Sequence, residues 1–163
     1  MTRLLRATLL AILAGTGVQA HPAIDAFTAY CFKAGQTAAQ AQANMTNIAG
    51  DPLPFVLTFW DKTLEPAPGT PEYAERKCEV VFAGNHATAA LNAVRAKMAT
   101  PPVFGTVIPL PETHAATPGT VMIEGRELLR QRVAVVHLGT RDAGARTFIS
   151  VDRLPAGMGL RND

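Results

Sequence analysis

Four histidines, a lone serine and two cysteines carry the most specific chemistry in this 163-residue chain, and their spacing excludes more than it supports. Ser150 stands in a stretch with strand periodicity and has no Gly-x-Ser-x-Gly around it, which rules out an elbow-type serine hydrolase. No phosphate-cradling loop, dinucleotide fingerprint, His-Glu-x-x-His pair or calcium loop occurs. Cys31 and Cys78 form an even set, read as a single disulfide in an oxidising compartment. Their wide spacing is unlike a Cys-x-x-Cys redox pair, and their oxidation removes a thiolate nucleophile. His21 offers one further chemistry. Cleavage after Ala20 would leave it N-terminal, where its α-amine and a ring nitrogen chelate copper together, a metal that accepts mixed nitrogen and oxygen ligands. A second imidazole is then required. His86 stands at a helix start, and His137 shares a strand face with Val133 and Val135 as core histidines do. His114, in a proline-rich loop, is the freest to serve, so His21 and His114 are the expected metal pair. No other cofactor is expected.

Binding residues are suggested by three features. Trp60, within Phe59-Trp60-Asp61-Lys62, is the only tryptophan and lies among charges, where an indole stacks on a sugar or peptide or else packs over the core edge. Arg126, with the arginines at 130, 132, 141, 146 and 153, makes the strand half of the chain basic. Glu124, Glu127, Asp142 and Asp152 offset most of that charge, so a solvated face is the plain account and anion binding the sharper one. Thr100 to Thr120 reads as a structureless loop of a length that tends to cover something. A groove is expected beneath it, holding His114, and Glu112 with Glu124 are the carboxylates that would face such a groove as an acid and base pair.

These residues must be positioned by elements legible in the chain. Arg3 and Arg6, the apolar run Ala7 to Ala14 and the small-residue end Val18-Gln19-Ala20 have the form of a secretory signal peptide, leaving residues 21 to 163 as one α+β domain. Removing Arg3 and Arg6 from the 15 basic residues leaves 13 against 13 acidic ones, too even a balance to hold nucleic acid by charge. The apolar run is shorter than the ~20 residues a membrane span needs. A periplasmic or secreted location without a membrane span is expected. Ile24, Phe27, Cys31, Ala34, Ala38, Ala41, Met45 and Ile48 recur at steps of three and four, marking helices that meet near Gly35, with Thr37 and Gln40 as a capping box. Ala87 to Met98 is a later helix that must stop before Pro101. Phe55 to Trp60, Cys78 to Phe82, Val121 to Glu124, Arg132 to Leu138 and Thr147 to Arg153 have strand character, the first as a short edge strand. The order favours a mainly antiparallel sheet of about four firm strands with helices on one face.

At Cys31, the alanine-rich stretch Ala38 to Ala43 and Arg76-Lys77-Cys78-Glu79-Val80-Val81-Phe82, the chain resembles small exported two-cysteine proteins of proteobacteria without assigned function. Some of these carry the label of a succinyl-CoA synthetase β subunit. The chain is too short for that enzyme and lacks its motifs, so the resemblance implies a class and no activity. The expectation is an exported, non-catalytic domain that binds a protein, a peptide or an envelope component. A copper protein built on His21 is the alternative, and a carboxylate hydrolase a third.

Overall fold

The computed structural model describes residues 21–100, 104–156 and 158. The signal-peptide segment lies outside the described residues. Helix α1 (Pro22–Ala26) runs into a π-helical turn (Phe27–Cys31). Proline at the first helical position needs no hydrogen-bond partner, and the His21 ring caps the helix by accepting from the Ala23 N–H at 3.2 Å. Gly35, at φ +69°, takes the left-handed conformation that separates this helix from the next. Helix α2 (Ala38–Ala49) begins with the expected capping box, Thr37 and Gln40 each bonding the other's backbone N–H. The break at Gly35 resets the helical phase. Ala41 and Met45 are therefore buried, but Ile48, expected on the same face, is 45 % exposed.

Six strands follow: β1 (Val56–Asp61), β2 (Arg76–Ala83), β3 (Phe104–Ile108), β4 (Thr120–Leu128), β5 (Val133–Arg141) and β6 (Arg146–Leu154), with helix α3 (Ala87–Met98) between β2 and β3. They make one sheet in the order β1-β2-β6-β5-β4-β3, every pair antiparallel. The α+β order and the antiparallel pairing match the expectation, but the strand number does not. The expected edge strand is present, and β3 arises inside the segment read as structureless. Its prolines explain the difference: Pro101, Pro102, Pro109 and Pro111 flank Phe-Gly-Thr-Val-Ile without entering it, which leaves a short run free to pair at the sheet edge.

Period-two alternation gives the sheet two unlike faces. Cys78, Val80 and Phe82 of β2, Ile149 and Val151 of β6, and Ala134, Val136 and Leu138 of β5 turn toward the helices, meeting Ile24, Phe27, Met45, Val94 and Met98. On the opposite face Val133, Val135 and Leu154 are covered by Ala74, Tyr73, Trp60, Ile108, Ile123 and Met158. The disulfide Cys31–Cys78 joins the end of the first helical segment to β2, with Cα atoms 5.4 Å apart. Among the described residues no helix is long and apolar enough to cross a membrane.

The bond closes a sequence separation of 47 residues, for which the loop-entropy relation gives about 4 kcal/mol of stabilisation. Urea unfolding of the Cys31→Ser/Cys78→Ser protein is expected to show a loss of that order. An unchanged midpoint would contradict it.

Candidate arginine cleft

The basic residues of the strand half separate into two groups once the sheet is formed. On the face away from the helices, Arg141 reaches Glu79 at 2.9 Å and Lys77 reaches Asp152 at 3.2 Å. Arg146 pairs with Asp142 in the β5–β6 turn. Near the β3 edge, on the helix side, Glu124 takes both Arg95 at 3.0 Å and Arg126 at 2.9 Å. These arginines are the charge-balanced, partly solvated kind. Arg130, Arg132 and Arg153 differ: among the described residues none of their side chains has a hydrogen bond or a carboxylate at ion-pair distance.

Four strand ends bring them together. The register sets Arg76 of β2 opposite Arg153 of β6, and Ala134 of β5 on the other side of Arg153, with Arg132 just before that strand. The turn between β4 and β5 closes with the Leu128 N–H donating to the Arg132 carbonyl at 2.7 Å. Arg130 and Gln131 take positive φ there, as tight hairpins require, which sets Arg130 at the rim. Around these ends lies a cleft of about 280 Å³ lined by Leu128, Leu129, Arg130, Arg132 and Arg153. An adjoining cavity of about 120 Å³, here the side arm, shares Arg132 and Arg153 with the cleft and is lined further by Ala34, Gly35, Asp61, Thr63, Glu75 and Arg76. Phe32, Phe104, Ala134 and Val151 make an apolar patch beside Arg153.

The three arginines are not equivalent. Arg76 is 2 % exposed and donates to the Lys33 carbonyl and, at 3.0 Å, to the Cys31 carbonyl. It thereby satisfies carbonyls that the end of α1 leaves open. Burial, with Arg153 adding to it and Asp61 opposing, lowers its pKa to about 10, so it remains charged at neutral pH. Arg153 is half-buried, and its pKa is lowered by burial first and by Arg132 second, against Asp61 and Glu75. Two like charges directly opposite on neighbouring strands repel, and a desolvated cation without a partner is costly. The cleft is thus a preorganised region of positive potential with an apolar wall, suited to a carboxylate or phosphate held in a guanidinium fork.

The residues singled out in the sequence lie elsewhere. Trp60 is half-buried in β1 on the face away from the helices. His114 reaches that face too, bonding Asp152 at 3.2 Å and meeting Tyr73 edge to face at 5.6 Å. The loop does cover the sheet, and what it covers is an ion-paired surface. Arg126 is committed to Glu124 and the Gly105 carbonyl. His21 lies on the helix side, stacked on Phe82 at 4.4 Å with His86 at 4.8 Å, so the structure brings His86 to it and leaves His114 on the far face. Among the described residues no group of three or more His, Cys, Asp or Glu is placed to hold a metal. His137 bonds Thr120 at 2.8 Å and packs on Phe148, the core role expected for it. Glu112 is exposed in its loop, apart from Glu124 in its ion pairs. Comparison with known protein families, curated proteins and solved structures finds no match.

Titration should expose the ion-paired face. Burial holds the His21 and His137 imidazoles below the ordinary 6.5, aided by His86 and by Lys77 respectively. Burial alone would raise Asp152, but bonds from His114 and Lys77 outweigh it and hold the carboxyl below 3.8. Each lowered pKa gives stability that is complete above the unfolded-chain value and lost as pH falls through the folded one. Urea midpoints are therefore expected to drop in two steps, the first beginning near pH 6.5 and the second below pH 3.8. Asp152→Asn should shrink the second step and, by removing a charge that raises His137, slightly enlarge the first.

Proposed function

We propose that this protein is an exported, non-catalytic binding domain that recognises an anionic group, a carboxylate or phosphate, in the arginine cleft. One observation carries the reading: Arg130, Arg132 and Arg153 line a cleft of about 280 Å³ without a carboxylate at ion-pair distance among the described residues, while Arg126, Arg141 and Arg146 are paired. An anion entering the cleft would relieve the repulsion among these cations. The signal-like leader and the disulfide support an extracytoplasmic setting.

Stability and binding should separate at this site. Arg153→Met is expected to leave the free protein unchanged or about 0.2–1 kcal/mol more stable, since a like-charge pair across strands is removed. It should abolish the stabilisation that inorganic phosphate or acetate gives the native chain. Arg76→Met is expected to cost about 1.5–3 kcal/mol, the worth of a charged hydrogen bond. Thermal unfolding across a phosphate series measures both. Equal stabilisation of the native and Arg153→Met proteins would refute the reading.

A second reading, a copper protein whose mature chain begins at His21, draws support from the approach of the His86 ring to His21. Native mass spectrometry of the exported protein with added copper tests it. A single-copper adduct should vanish on His86→Ala and on extension of the N-terminus by one residue.

A further inference from the structure

We infer that the ligand of the arginine cleft is a small zwitterion of the amino-acid or dipeptide class, whose anionic end lies between Arg132 and Arg153 and whose ammonium group lies in the side arm against Asp61 and Glu75. This rests on the anion-binding reading and adds the second charge. The arm is lined by charges of both signs that do not touch. Asp61, at the end of β1, is 7 % exposed and paired in register with Arg76. Its Oδ1 takes the Thr63 N–H at 3.0 Å and the Thr63 hydroxyl, while Oδ2 accepts nothing from the described residues. Arg76, the cation that could neutralise it, spends its donors on the Cys31 and Lys33 carbonyls instead. Glu75 has no side-chain hydrogen bond or ion pair among the described residues, yet both carboxylates act electrostatically on Arg153.

Five charges, Asp61, Glu75, Arg76, Arg132 and Arg153, therefore line one space of about 120 Å³ without an ion pair between them. Glu75 is tied to β6 by its backbone N–H on the Arg153 carbonyl at 2.7 Å, and the Asp61 Oδ1 is held by Thr63. Positive and negative groups that line one cavity without pairing favour a partner carrying both charges over one carrying either. The acids line the arm and are absent from the described lining of the wider mouth, which orients the ligand: ammonium inward, carboxylate at the arginines. Leu128 and Leu129, which line the cleft with Arg153, offer an apolar side chain a wall.

Calorimetry on the full chain with L-leucine, leucyl-leucine, N-acetyl-L-leucine and leucinamide tests this. Leucine or its dipeptide should bind at least about tenfold more tightly than either single-charge analogue. That advantage over N-acetyl-L-leucine should collapse in Glu75→Gln, or in Asp61→Asn should the first variant fail to fold. N-acetyl-L-leucine binding as tightly as leucine would overturn the zwitterion while leaving the anion site intact. Phosphate binding with no response to leucine or the dipeptide would do the same. Silence to every probe, phosphate and acetate included, would overturn the anion reading itself, as would preference for leucinamide.

Discussion

The guanidinium of Arg76 is almost entirely removed from water, two residues from a disulfide-bonded cysteine, at the point where the first helical segment meets the sheet. A cation there is tolerable because it is surrounded by acceptors: the carbonyls of Cys31 and Lys33, with Asp61 opposing the burial penalty. The covalent bond and the buried charge act at one joint. The first fixes the helix end to β2, and the second satisfies the backbone groups which that end would otherwise bury unpaired. The wall of the cleft formed by Ala34 and Gly35 follows from this joint, and Gln36, bonding the Tyr30 carbonyl and Asn44, braces it from behind.

The same joint explains why the cleft holds charges in tension. Arg76 is used up by backbone carbonyls, so Asp61 is left with Thr63 as its donor. Register then places Arg153 directly across from Arg76, and among the described residues no carboxylate is in ion-pair contact with either. On the other sheet face the pattern is the reverse: Lys77, Glu79, Asp152, His114 and Arg141 neutralise one another in contact pairs beneath the 109–119 loop. Two polar surfaces of similar composition thus differ in kind. One is a closed electrostatic network that latches a loop, and the other keeps its charges available to a visitor.

Parts of this were legible in the chain and parts were not. Thr37 with Gln40, Gly35, and the stop before Pro101 located helix ends because capping and backbone sterics act within a few residues. The disulfide followed from there being only two cysteines. β3 was hidden because the prolines around Phe104–Ile108 give a stronger local signal than five residues of weak alternation. Trp60 could stack on a ligand or pack over the core edge, and it packs; His114, read as the freest histidine, is hydrogen-bonded over the second sheet face. Arg132 and Arg153 stood in the sequence as two members of a row of arginines, with no local feature to part them from Arg126, Arg141 or Arg146.

The sequence by itself determined the order of the helices and of five of the six strands, the capping box of α2 and the single cross-link, since each depends on neighbours along the chain or on having no alternative partner. Only the tertiary structure decided which arginines are paired and which line the cleft. Arg76, Arg132 and Arg153, with Asp61 and Glu75, come from four separate stretches of chain. Their distances are set by the antiparallel register of β1, β2, β6 and β5, and a one-residue slip would have turned each side chain to the opposite face of the sheet.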